Sequence, residues 1–189
     1  MRKPDQIVLV VTFFGFSWLA MQVAHELGHV LGAVMTGGRV TNVILHPLTI
    51  SRTDVHPNPR PLLVAWAGPV FGAFLPAIMY LIARGIRLPG LFLFRFFAGF
   101  CLIANGAYIG GGAFTALADA GDMLRHGSSI CQLSLFGVVT TAMGLYLWNG
   151  LGPHFGFGKG QGGVDRRATL ASFILLTILV TAEIVMAVR

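Results

Sequence analysis

Two histidines four residues apart flank a glutamate in the run His25-Glu26-Leu27-Gly28-His29. On a helix, residues at that spacing lie on one face, so both imidazoles can reach a single metal ion. Glu26 falls about 100° round the helix, near enough to hold a metal-bound water and take its proton. Two neutral imidazoles, a general base and an open coordination position are what a zinc hydrolase requires. The plain alternative is an ordinary helix that happens to carry these residues, since a five-residue pattern is short. The surroundings weigh against it. The motif lies in a long apolar run, where a charge costs about 2.5–3.5 kcal/mol on insertion scales and is kept mostly for function. The chain has two glutamates, Glu26 and Glu183, and one of them is here.

Two histidines do not complete such a site, and the third ligand has to come from elsewhere. Asp54, Asp119, Asp122, His46, His56, His126, His154 and Glu183 are the candidates. Depth sorts them. His25 lies roughly 27 Å along a helix that begins near Ile7, so the motif sits near the far end of the first apolar run. With five alternating spans, segments 36–60 and 110–129 and the C-terminus share that side, whereas His154 and Asp165 fall opposite. Asp119 and Asp122 stand out within Leu117-Ala118-Asp119-Ala120-Gly121-Asp122-Met123-Leu124, a mostly apolar stretch. Three residues apart, they can share a helical face. An exposed loop with acidic caps is the plainer explanation of that pair, and spacing does not choose between the two aspartates. His46 and His56 fall on a strand-like connection, where a histidine is more often a surface residue than a ligand. Glu183 reads as a side chain reaching toward the interface near Arg189.

The elements that must hold these residues are spans. About 20 apolar residues cross a bilayer core as helix, and five runs qualify: 7–35, 62–83, 91–109, 130–148 and 169–188. Pro4 precedes the first, and Pro61 enters the second at a favourable first-turn position. Gly37-Gly38 ends the first run, and the loose alternation from Arg39 to Val55 predicts a short strand or hairpin. Gly110-Gly111-Gly112 is expected to break the chain after the third span. The glycine-rich stretch from Leu151 to Gly163 reads as a loop. Segments 110–112 and 156–163 are candidate moving parts, with simple loops as the alternative. Ala20, Ala24, Gly28 and Gly32 form a ridge of small residues along which another helix can approach closely. The fold expected is all-α and polytopic, with about five transmembrane helices and a short strand-like connection after the first. One membrane-embedded domain covers 1–189, with a core at 7–125 and accessory spans at 130–148 and 169–188.

Composition agrees. Of 189 residues, 55% are hydrophobic and 11% charged, with a mean hydropathy of +0.76. A soluble globular chain carries roughly 25% charged residues, so most of this protein cannot face water. Integral, multi-pass insertion in the cell membrane follows. The net charge of +6 would raise nucleic-acid binding in a soluble protein. Here the basic residues are scattered singly between apolar runs and read as lipid-headgroup anchors, with no nucleic acid as partner. Cys101 and Cys131 lie in apolar stretches as small hydrophobic fillers. Met1-Arg2-Lys3 before an apolar run could mimic a secretory signal, but the run continues through the histidine motif without a cleavage site.

The sequence resembles the site-2 protease family of membrane-embedded zinc metalloproteases, as a compact, divergent member without an inserted PDZ domain. His25-Glu26-Leu27-Gly28-His29 in the first span carries the resemblance, followed by Gly37-Gly38 and the strand-like connection. Ala67-Gly68-Pro69 in the second span is similar to the family's Ala-Gly-Pro. The stretch Ala118 to Leu124 is similar to its Leu-Asp-Gly motif and the helix after it. The departures are Asn105, further upstream than the family's asparagine, glycines 110–112 in place of prolines, and Ala118-Asp119-Ala120 in place of a strict Leu-Asp-Gly. The resemblance implies Zn2+ held by His25, His29 and Asp119, with Asp122 as second choice for the third position. It also implies Glu26 as catalytic residue, activating a zinc-bound water, and cleavage of a peptide bond in or beside a transmembrane segment of a membrane-protein or membrane-peptide substrate.

Lysine and arginine placement slightly favours a cytoplasmic N-terminus, whereas the resemblance implies a metal nearer the cytoplasm; the two point to opposite orientations. The competing function is a non-proteolytic metal-binding protein of interaction or transport that keeps the same fold. Glu26 speaks against it, because zinc binding alone does not need that carboxylate. A transporter would show two halves of broken helices, and the sequence has no such internal symmetry.

Overall fold

The computed structural model describes residues 3–158 and 164–187. Among them, five helices are long and apolar enough to cross a membrane: α1 (Lys3–Met35), α2 (Pro61–Gly85), α3 (Leu91–Thr115), α5 (Ile130–Trp148) and α6 (Arg166–Ala187). Between α1 and α2 stand β1 (Val40–Ile44) and β2 (Arg52–Val55); a short α4 (Ala118–Arg125) follows α3. The protein is a multi-pass integral membrane protein, mostly helical, with one small sheet.

Lateral order follows from which helices touch. α1 packs between α6 and α2, α2 against α3, and α3 against α5, while α4 lies against α2 and α3. Hydrocarbon supplies no drive to bring apolar helices together, so close approach of small residues does that work. Gly32 of α1 lies where an added methyl would stand 2.6 Å from the Ala67 Cβ of α2. α1 and α6 are tied through the Thr12 and Ser172 hydroxyls, 2.7 Å apart.

The third helix corrects the expected break. Gly110-Gly111-Gly112 lies inside α3, which runs on to Thr115. In lipid a glycine run need not end a helix, because backbone groups have no water to turn to. Here Gly110 faces Gly137 of α5 so closely that a methyl on Gly110 would come within 3.0 Å of the Gly137 Cα. Gly112 makes similar room for Ala120 of α4, while Gly111 meets nothing within 4 Å.

The chain turns sharply after α3. Ala116 and Ala118 have left-handed backbones, φ 51° and 49°, a conformation that costs a non-glycine residue on the order of 1–2 kcal/mol. This corner folds α4 back under α3. At the start of α5, Ser129 and Gln132 cap one another: the Gln132 N–H donates to Ser129 Oγ, and the Ser129 N–H to Gln132 Oε1.

The hairpin predicted after Gly37-Gly38 is present, β1 and β2 pairing antiparallel with Val40 opposite Val55 and Ile44 opposite Arg52. At its tip Leu48 and Ile50 are exposed. Part of the expected loop 151–163 is ordered: Gly152–Phe155 forms a 3-10 turn. Phe155 is buried there, and its carbonyl accepts from Gln6 Nε2. Residues 159–163 of that segment lie outside the described residues. Glu183 differs from expectation too. It does not reach for the interface but is 1% exposed in α6, and its Oε2 has no hydrogen-bond partner among the described residues.

Candidate metal centre

The site is built from three elements that meet at one end of the helix bundle. α1 supplies His25, Glu26 and His29, all less than a tenth exposed. The apolar run around them forces helix, and the helix puts both imidazoles on the side facing α2 and α3. α2 makes room: any side chain at Gly68 would collide with the His29 ring, and one at Gly72 with Asn105. The corner at Ala116–Ala118 then swings Asp119 under the two rings.

Hydrogen bonds fix the tautomers. His29 Nδ1 stands 2.8 Å from the Val64 carbonyl oxygen, which can only accept, so this nitrogen carries the proton. Asn105, fully buried in α3, donates from Nδ2 to the Cys101 carbonyl. Its Oδ1 accepts from His25 Nδ1 at 2.7 Å. In the neutral imidazoles both Nε2 atoms are therefore lone pairs, and they converge. The two lie 3.1 Å apart. Asp119 Oδ2 completes the triangle at 2.9 Å from His25 Nε2 and 3.4 Å from His29 Nε2.

Three electron-pair donors facing one another without a proton between them repel unless a cation sits among them. A tetrahedral metal with bonds of about 2.0–2.1 Å needs its ligands roughly 3.3 Å apart, close to the edges of this triangle. The residues fit a divalent metal. Burial alone would raise the Asp119 carboxyl; protonated His25 and His29 rings would hold it below the usual carboxylate range, and with both Nε2 atoms unprotonated a metal cation takes that part.

Of the other candidates, none joins the cluster. Asp122 points away and pairs with Arg125 of its own helix. Asp54 pairs with Arg52 at 2.9 Å. His126 Nδ1 stands 2.8 Å from the Asp122 carbonyl, and His154 stacks on Phe92 at the opposite end of the bundle. His56 lines the cavity at the site without reaching the triangle.

That cavity, about 990 Å³, is bounded by α1, the hairpin, α2, α3 and α4, and Glu26 and Tyr108 open onto it beside the triangle. Sequence reasoning missed several of its residues. Asn105 carries a signal, an amide in the middle of an apolar span, that spacing alone does not tie to His25. Tyr108, whose ring meets His25 edge-on at 5.8 Å, carried none. Nor did Ser51 and Thr53, whose hydroxyls reach Glu26 across 25 and 27 residues of chain.

A sequence model described as Peptidase M50B-like matches residues 7–117. The match takes in the α1 motif, the hairpin, α2 and α3, and stops just short of Asp119. Searches among curated proteins and among solved structures returned no match. With more than half of its length matched, the chain belongs to the Peptidase M50B-like family, and it is a membrane peptidase of the site-2 protease type.

Proposed function

We propose that the protein is a zinc-dependent intramembrane endopeptidase that hydrolyses a peptide bond in or beside a transmembrane segment of its substrate. The observation that carries this reading is the convergence of His25 Nε2, His29 Nε2 and Asp119 Oδ2 beside the Glu26 carboxylate in one cavity. His25, His29 and Asp119 are the residues that would hold Zn2+. Bound there, zinc supplies Lewis acidity, polarising the scissile carbonyl and acidifying a water toward pKa ~7.

The remaining steps belong to the chain. Asn105 and the Val64 carbonyl keep the two imidazoles turned so that Nε2 faces inward. Glu26 takes the proton of the attacking water as the new C–O bond forms at the scissile carbonyl carbon, and then gives it to the amine nitrogen as the C–N bond breaks. The cavity beside Glu26 is lined by the hairpin as well as by α1, α2, α3 and α4, and an unwound substrate segment would lie in it.

Glu26→Gln tests the reading. The change keeps side-chain size, so fold and zinc content should persist, while cleavage of single-span membrane peptides in reconstituted vesicles falls by about 10²–10⁴. Wild-type rates in Glu26→Gln would remove Glu26 from the mechanism. A zinc-loaded wild type that cuts nothing across a broad peptide panel would favour the non-proteolytic alternative.

A further inference from the structure

Glu26 is 4% exposed, and among the described residues no lysine, arginine or histidine pairs with it. A buried carboxylate without a cation depends on hydrogen-bond donors, and β2, with the residue just before it, provides them. Ser51 Oγ donates to Glu26 Oε1 at 2.7 Å, and Thr53 Oγ1 donates to Oε2 at 2.6 Å. Both are short enough for charge-assisted bonds. Residues two apart on an extended chain share a face. Ser51 and Thr53 therefore face α1 together, while Arg52 and Asp54 pair with each other on the other side. One turn before Glu26, Gln22 Oε1 accepts from the Ser51 N–H at 3.3 Å, so α1 grips this strand at three points.

Two donors on two different oxygens fix the plane of a carboxylate as one donor cannot. Each carboxylate oxygen can accept a second hydrogen bond, so the clamp leaves room for a water on Glu26. We propose that Ser51 and Thr53 are positioning residues for the general base, and that Glu26 takes its working orientation only while the hairpin is closed on α1. The proposal rests on the hydrolase reading above and adds that assembly of the site is conditional on the hairpin. A segment that wedges the strand away disarms the base, and one that seats it arms the base.

Two measurements on the full chain in lipid nanodiscs test this, and the first needs no activity. Amide hydrogen exchange of peptides covering residues 50–57 is compared in wild type, Glu26→Ala, the double variant Ser51→Ala/Thr53→Val, and the triple variant. Loss of bonds to a charged acceptor should speed exchange roughly tenfold in both the single and the double variant, with no further gain in the triple. Unchanged exchange in Glu26→Ala, or additive effects in the triple, would overturn the clamp whatever the protein catalyses. The second measurement is cleavage. The double variant should lose roughly 10²-fold in kcat, the scale of a misplaced catalytic group, with KM and zinc content unchanged. Ser51→Thr/Thr53→Ser, which keeps both hydroxyls, should restore it. An unchanged kcat, a change in KM alone, or no rescue would overturn the positioning role. If wild type shows no cleavage while the exchange coupling holds, the hydrolase reading falls and the positioning role with it, leaving a structural clamp.

Discussion

The two ends of the helix bundle are built on opposite principles. At one end Phe13, Phe16, Phe92, Phe96, Phe97, Trp148 and Phe155 fill the space between α1, α3, α5 and the 3-10 turn. Phe96 and Trp148 stack at 4.9 Å, and Phe13 meets Phe96 at 5.5 Å. Polar atoms there are answered within the cluster, as where Trp148 Nε1 donates to the Phe96 carbonyl. At the other end α1 and α3, together with α2, α4 and the hairpin, surround a cavity of about 990 Å³. There the buried groups are His25, Glu26, His29 and Asn105. Ring packing at the first end holds the helices in register, and it lets the second end keep a polar hollow inside a membrane. Stability and chemistry are carried by different halves of the same helices.

Substitutions should separate the halves. Phe13, 2% exposed, lies roughly 18 Å along α1 from His25. Phe13→Ala should cost about 3 kcal/mol of stability and leave zinc stoichiometry unchanged, read as a shift in thermal unfolding beside metal analysis. Zinc lost from the folded variant would show that the two ends are not separable. Asn105→Ala should do the reverse. With its Nδ1 partner gone, the His25 ring loses its fixed orientation, and zinc affinity should fall about 10–100-fold in a chelator competition, with little change in helix content. Smallest is the corner that carries Asp119. Ala116→Gly should relieve its left-handed backbone and gain on the order of 1 kcal/mol in thermal unfolding, with zinc affinity unchanged; a fall in zinc affinity would show that the stiffness of this corner holds Asp119 in place.

The difference between the ends also explains what the sequence could reveal. Spans are legible because lipid demands long apolar helices: the run 130–148 coincides with α5, and the others end within a few residues of α1, α2 and α6. The third span was read short because glycine breaks helices in water, whereas Gly110 serves here as a surface for Gly137. At the site, His25, Glu26 and His29 are legible from spacing on one helix. Asp119 and Asp122 are not separable that way, since both sit on α4 and only the turn at Ala116–Ala118 decides which faces the histidines. Glu183 reads as an interfacial anchor because the sequence does not show that the packing of α6 buries it. The hydroxyls on Glu26 were out of reach altogether, since they depend on how the hairpin docks, and serine and threonine carry no signal of their own.

The central claim is that His25, His29 and Asp119 hold one zinc ion, and metal analysis of purified protein tests it most directly. Wild type should carry about one zinc per chain. His25→Ala, His29→Ala and Asp119→Ala should each lose most of it while remaining helical, and Asp122→Ala, which removes only a partner of Arg125, should keep it. Zinc retained in Asp119→Ala and lost in Asp122→Ala would contradict the account.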